Sequence, residues 1–249
     1  MSDPLELALD LLNSASRVAI LTGAGVSKAS GIPTFRDGPD AWWGQVNPLE
    51  LLTQSSFDRD PLPVWGWHQH KRRLARRGSP NAAHEVFARL ERRPCAAFTL
   101  ATQNIDGLHT LAGSRDVIEL HGSVHRARCE VCDEVHDLDL IAGEDEALPR
   151  CPSCGAVLRP DVVWFGDQLD EGALLRVEEA FATADVAVVA GTSAKVYPAA
   201  ALPVRTARGG GQVIEINPER TGLSAFATLR VTQVDWAERL LALLGPCPP

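Results

Sequence analysis

The chain has 249 residues, 45% of them hydrophobic and 22% charged, with a formal net charge of −8. That balance suits one sizeable α/β core with room for a small satellite module, and excludes disordered or collagen-like sequence. No apolar run reaches the roughly 20 residues of a membrane helix, the acidic start at Met1 to Asp10 lacks the basic region of a secretory signal, and the negative charge argues against binding a phosphate backbone, so a cytoplasmic protein with no membrane or nucleic-acid partner is expected.

In chain order, residues 3–14 carry Leu5, Ala8, Leu9 and Leu12 at helical spacing, with Asp3 as N-cap and Pro4 in the first turn. Residues 17–21 form a short apolar run that enters Thr22-Gly23-Ala24-Gly25, as a buried parallel strand enters a glycine turn. Residues 79–91 predict a helix, 95–101 a second buried strand (holding Cys95 as core), and 117–120 a third. A helix over 171–183 precedes a strand over 185–190 that ends at Gly191-Thr192-Ser193. A helix over 199–208, strands over 212–216 and 229–231, and a helix over 235–244 complete the pattern. Alternating strands and helices imply a doubly wound, Rossmann-like parallel sheet. The sheet takes residues 1–37, 79–124 and 161–249. Two stretches break the rhythm: 38–78, rich in Trp and Pro, and 125–160, polar and cysteine-bearing. They predict a helical insertion and a zinc-ribbon insertion that together build a smaller module.

Four of the six cysteines form two C-x2-C pairs, Cys129/Cys132 and Cys151/Cys154, separated by 18 residues. Each turn brings two thiolates together, and two turns complete a tetrahedral shell around one Zn2+. Four thiolates leave no open position, so this zinc is structural and does not activate water. The ribbon also carries Glu130, Asp133, Glu134, Asp137 and Asp139, which speaks against nucleic acid.

The turn Gly23-Ala24-Gly25 lacks the third glycine of a dinucleotide fingerprint, because Lys28 stands there. Alone it is equally an ordinary strand-to-helix turn. Its continuation through Ser27, Phe35 and Arg36 adds phosphate-binding N–H groups, a ring and a guanidinium. Asn217, at the end of another strand, is placed to meet a ribose. Of the seven histidines, His121 alone combines a strand's carboxyl edge with a following glycine. That placement suits a general base, and equally a hydrogen-bonded structural histidine.

Taken in order, the segments from Gly23 to Arg36, Gln103-Asn104-Ile105-Asp106-Gly107-Leu108-His109, His121-Gly122, the four cysteines, Arg159 to Gly166, Gly191-Thr192-Ser193 and Asn217 resemble the sirtuins. The resemblance implies an NAD-consuming protein-lysine deacylase. Gly23, Ala24, Gly25, Ser27, Phe35 and Arg36 would line the pyrophosphate and nicotinamide side of NAD. Gln103 and Asn104 would hold the nicotinamide ribose, and Asp106 the carboxamide. Gly191, Thr192, Ser193 and Asn217 would take the adenosine half. His121, with Asn104, would be catalytic, and Val162, Trp164, Phe165 and Gly166 would clamp an acyl-lysine peptide as an added strand. A monomer is expected.

One subfamily, which removes acidic acyl groups, carries a Tyr-x-x-Arg pair ahead of a segment matching Pro80-Asn81-Ala82-Ala83-His84. Ungapped counting puts His68 and Lys71 on those two positions. Lysine is a point charge without arginine's fork. The expectation is therefore deacetylation; the alternatives are that His68 and Lys71 still recognise an acidic acyl group, or that Lys71 to Arg77 is only a solvated helix face. The loop after Asn217 is shorter than in most sirtuins, which leaves adenine contacts there unassigned. An NAD-dependent dehydrogenase, a mono-ADP-ribosyltransferase and a catalytically silent zinc-ribbon module are the competing classes.

Overall fold

The computed structural model describes residues 3–34, 47–94, 97–141 and 147–245. In chain order it runs α1 (Pro4–Ser14), β1 (Arg17–Thr22), α2 (Pro48–Leu51), α3 (Gln54–Arg59), α4 (Pro61–Arg77), α5 (Ala82–Glu91), β2 (Ala97–Thr102), α6 (Leu108–Leu111) and β3 (Val117–Glu119). It continues β4 (Gly122–Cys129), β5 (Val135–Asp137), α7 (Leu138–Ile141), β6 (Leu158–Val162), α8 (Glu171–Thr183), β7 (Val186–Ala190), α9 (Leu202–Arg208), β8 (Gln212–Ile216), β9 (Leu229–Val231) and α10 (Trp236–Leu244).

Among the described residues the large sheet has six strands in the order β3-β2-β1-β7-β8-β9, with every pairing parallel. The period-two rule explains its layers. Val18 and Ile20 face α1, α5 and α10, in one core with Leu5, Val86, Phe87 and Leu240. Ala19 and Leu21 face the other way, into a core with Val177 and Phe181 of α8 and Leu202 of α9. β1 and β7 lie at the centre of the sheet and are buried on both faces, which is why they read as unbroken apolar runs. Removing the Phe181 ring, which is fully buried, would cost about 3–5 kcal/mol.

Helix and strand limits differ from the sequence expectation in instructive places. Asp3 does cap α1, its carboxylate accepting the Leu5 N–H at 3.1 Å. α5 begins at Ala82 rather than 79, because Asn81 is its N-cap. The second strand is Ala97–Thr102; Cys95 lies outside the described residues, as do Phe35, Arg36 and Cys247. The third strand stops at Glu119. Asp185 precedes its strand, with its carboxylate accepting the N–H groups of Ser16 and Arg17. The stretch 199–208 divides into a 3-10 turn and α9.

The smaller module joins α2–α4 to an antiparallel sheet of order β5-β4-β6, which spans Gly122 to Val162. Two tryptophans of α4 organise it. Trp65 packs with Ala127, Cys129, Leu138, Cys151 and Leu158. Trp67 packs with Leu52, Phe57, Val64 and Trp164. No helix among the described residues is long and apolar enough to cross a membrane.

Cys129, Cys132, Cys151 and Cys154 place their sulfurs within 4.8 Å of one another. Two of the separations are 3.4 Å (Cys129 to Cys154) and 3.6 Å (Cys132 to Cys151). A tetrahedral site with Zn–S bonds of about 2.3 Å needs sulfurs roughly 3.8 Å apart, so the donor set fits a structural zinc. The ion would cross-link the two C-x2-C turns of a sheet that has little core of its own. Stripping zinc with a chelator should therefore abolish amide-exchange protection in β4 to β6 while β1 and β7 stay protected. Uniform loss across both sheets would show that the ribbon is not a separate stability unit.

Candidate active site at the carboxyl edge of the sheet

The chain winds outward from β1 to β3, then returns to place β7 on the other side of β1. Strand order reverses there, and a ligand crevice opens at the carboxyl ends of such strands. A cavity of about 1520 Å³ occupies this position and extends to the smaller module. Gly23, Ala24, Gly25, Ser27, Gln103, Asn104, Asp106, His121, Gly191, Thr192, Ser193 and Asn217 all line it. So do Lys71, Val162, Trp164, Phe165 and Gly166. His68 does not line it.

The two glycine turns touch backbone to backbone. Gly25 N–H donates to the Gly191 carbonyl at 2.8 Å. A Cβ on Gly25 would lie 2.8 Å from the Gly191 Cα, and one on Gly191, which has φ +61°, would lie 2.5 Å from the Val26 nitrogen. No larger residue fits this approach. Beside it, Asn217 Nδ2 donates to the Thr192 carbonyl at 2.9 Å, and Gln103 Nε2 to Thr192 Oγ1 at 3.2 Å. The ends of β2, β7 and β8 are thus tied into one wall.

Below the glycines lies a buried polar cluster. Ser27 Oγ donates to Asp106 Oδ2 at 2.7 Å and accepts from Asn104 Nδ2 at 3.0 Å. The same Asn104 amide donates to the Gly23 carbonyl at 3.1 Å. His84 approaches Ser27 Oγ with Nε2 at 3.5 Å, while its Nδ1 accepts the Asn81 N–H at 3.2 Å, so Nε2 carries the proton. Burial pushes His84 down to about 4 against the pull of Asp106. His109 is also buried and pushed down to about 3. Its Nε2 lies 2.8 Å from Thr22 Oγ1, which donates to Thr102 Oγ1, which in turn accepts the Asn104 N–H. The sequence reading gave His84 and His109 no placement in the site. The Asn81-x-x-His84 capping box was the available signal.

His121 sits where the large sheet passes into the small one. Its Nδ1 donates to the Gln103 carbonyl at 3.0 Å, which leaves Nε2 as an acceptor. Burial lowers its pKa, and the Gln103 carbonyl pulls the other way. The ring is therefore neutral at neutral pH. Its backbone is gripped as well: the His121 carbonyl accepts the Val163 N–H at 3.0 Å. Gly122, at φ +76°, lets Asp161 approach so closely that a Cβ would lie 2.1 Å from the Asp161 carbonyl oxygen.

On the smaller module, Lys71 lines the cavity with its ammonium 5.3 Å from the Trp67 ring centre. Burial lowers its pKa. His68 turns inward instead, its Nε2 accepting the Trp164 indole N–H at 2.8 Å. It is 3% exposed, and burial first, then Arg159 and Lys71, push it down to about 3. The expected pairing of His68 with Lys71 in the pocket is corrected on this point: Trp67, not His68, shares the cavity wall with Lys71. The reason is the bond to the Trp164 indole, which holds the buried His68 ring inward.

The comparisons with known proteins give the family. The model of the Sir2 family matches residues 23–198. A protein of Thermus thermophilus named NAD-dependent protein deacylase is 47% identical over 247 residues, 98% of this chain and 95% of that protein. One of the same name from Deinococcus radiodurans is 46% identical over 244 residues, 96% of this chain and 98% of that protein. Among solved structures, a Sir2 homologue in complex with NAD superimposes with a TM-score of 0.86 at 40% identity, covering 96% of this chain and 95% of the other. A Sir2 mutant with a deacetylated p53 peptide and 3′-O-acetyl ADP-ribose gives 0.86 at 33% identity, covering 96% and 98%. The glycine turns, the polar cluster and His121 are the carboxyl-edge site of a chain that belongs to the Sir2 family, the sirtuins.

Proposed function

We propose that this sirtuin is an NAD-dependent protein-lysine deacetylase in which His121 is the general base. The observation that carries the reading is a His121 whose Nδ1 is held by the Gln103 carbonyl, leaving Nε2 as acceptor, in one cavity shared by the glycine turns and the 162–166 segment. The N–H groups of Gly23, Gly25 and Gly191 are spent on backbone carbonyls, so those of Ala24, Thr192 and Ser193 are the ones the two turns would offer the phosphates of NAD. Asn104, Gln103 and Asp106 lie deeper, toward the nicotinamide half, and Asn217 and Ser193 toward the adenosine half. Phe35 and Arg36 belong to the same proposal on sequence grounds alone. Val162, the last residue of β6, and Trp164, Phe165 and Gly166 in the turn that follows it would receive the peptide as an added strand.

NAD is a co-substrate here: its bond from ribose to nicotinamide breaks, and the acyl-lysine oxygen takes the ribose carbon. His121 accepts a ribose hydroxyl proton at Nε2, so that the hydroxyl oxygen attacks the acyl carbon. Water then releases the free amine, leaving nicotinamide, lysine and O-acetyl-ADP-ribose. The enclosing walls keep water from intercepting the ribose earlier.

A second reading is favoured by Lys71, a cation on the cavity wall of the smaller module: an acidic acyl group, such as succinyl, would meet it. Transfer of ADP-ribose to protein is the remaining outcome, seen as labelled protein when labelled NAD is supplied.

Two measurements test these assignments. A protonated His121 cannot accept a proton, so activity is lost as pH falls through its pKa, which burial holds below the ordinary 6.5. The expected profile of kcat is flat from neutral pH upward to 8, with its acid limb below 6.5. His121→Ala should lose at least about 100-fold in kcat with NAD binding intact. An active, folded His121→Ala protein would remove the residue from the mechanism. Mass spectrometry of matched acetyl-, propionyl- and succinyl-lysine peptides, with and without NAD, should show acetyl loss only with NAD. Faster succinyl loss that Lys71→Met abolishes would establish the second reading instead.

A further inference from the structure

The mechanism above leaves several buried charges unused, Arg72, Arg159 and Glu215 among them. Arg159, in β6, has a side chain only 5% exposed. It spans the two ends of the smaller module. On the zinc side, its Nη1 donates to Glu130 Oε1 at 3.3 Å and to the side-chain oxygen of Gln54, and Gln54 Nε2 donates to Glu130 Oε2 at 3.1 Å. Glu130 lies between the ligands Cys129 and Cys132. On the peptide side, Nη2 donates to Asp167 Oδ2 at 2.7 Å and to the Val162 carbonyl at 3.1 Å. The guanidinium lies 3.7 Å from the Trp164 ring centre, and Asp167 Oδ2 also accepts the Trp164 N–H at 3.1 Å.

From this bridge we infer that Arg159 is a positioning residue coupling the four-cysteine site to the peptide-binding segment, an inference that rests on the deacylase reading above. A planar, permanently charged group can stack on an indole and fork to two carboxylates at once, and lysine cannot. Loss of the C-x2-C turn moves Glu130, and through Arg159 it releases Asp167 and Trp164. Coupling of this kind is reciprocal: peptide held on the segment must retain zinc.

The test uses the full zinc-loaded chain with an acetyl-lysine peptide, and a colorimetric chelator to time zinc release. In the wild type, saturating peptide should slow release. Arg159→Lys should raise the peptide KM at least about fivefold, leave the NAD KM unchanged, and abolish the protection by peptide. Glu130→Gln, at a more exposed position, should also abolish the protection, and it carries the test alone if the arginine variant does not fold. A lower melting temperature with unchanged peptide KM, or equal protection in the wild type and Glu130→Gln, would reduce Arg159 to a structural residue and overturn the proposal. A wild-type chain without zinc, or without NAD-dependent deacylation, overturns the underlying reading, and shows this before any variant is made.

Discussion

Two turns that meet through bare backbone set the geometry of this molecule. The Gly25 N–H bond to the Gly191 carbonyl exists only because neither residue carries a Cβ. A methyl group at either position would push β1 and β7 apart at their carboxyl ends, where the strand order reverses. The ends of the neighbouring strands are referenced to that contact. Thr192 follows Gly191 and receives both Gln103 and Asn217, so the ends of β2 and β8 are fixed relative to the same turn. Gly23 precedes the contact and receives Asn104.

A wall so dependent on glycine has little side-chain packing to stiffen it. The stiffness comes from the buried polar cluster beneath. Ser27 carries three partners through one oxygen, and Asn104 is held at both its amide and its backbone nitrogen. His109 anchors the far end through Thr22 and Thr102. Both histidines stay neutral because charging them inside the fold would cost more than their neighbours return. The match is incomplete at one point, since His109 Nδ1 is buried without a hydrogen-bond partner among the described residues.

Much of this was legible in sequence, for a physical reason. Buried parallel strands are continuous apolar runs, so their ends are sharp, and the crevice is built from strand ends. Gly23, Asn104, His121, Thr192 and Asn217 were located by that logic. His84 and His109 were not, because a histidine on a helix face has no local mark of being buried; their neutrality is a product of tertiary packing. Arg159 was legible only as part of a motif. Its partners lie at Gln54, Glu130 and Asp167, and no short-range pattern links positions that far apart.

The cavity wall of the smaller module shows how adjacent side chains of one helix divide between core and crevice. His68 is buried beside Trp67, and its imidazole has a lone pair to offer. Trp164 has an indole N–H that needs an acceptor in a dry site. The two satisfy each other at 2.8 Å, and the ring of Trp164 is held at its edge by His68 and on its face by Arg159. With His68 spent on that bond, Lys71 lines the wall with its ammonium 5.3 Å from the Trp67 ring centre. A lysine so placed is a weaker cation than one in water, because burial lowers its pKa. It can accommodate a small neutral acyl group along its methylene stem. An acidic acyl group would restore its full charge by pairing with it, so the preference turns on how much desolvation that pair must overcome.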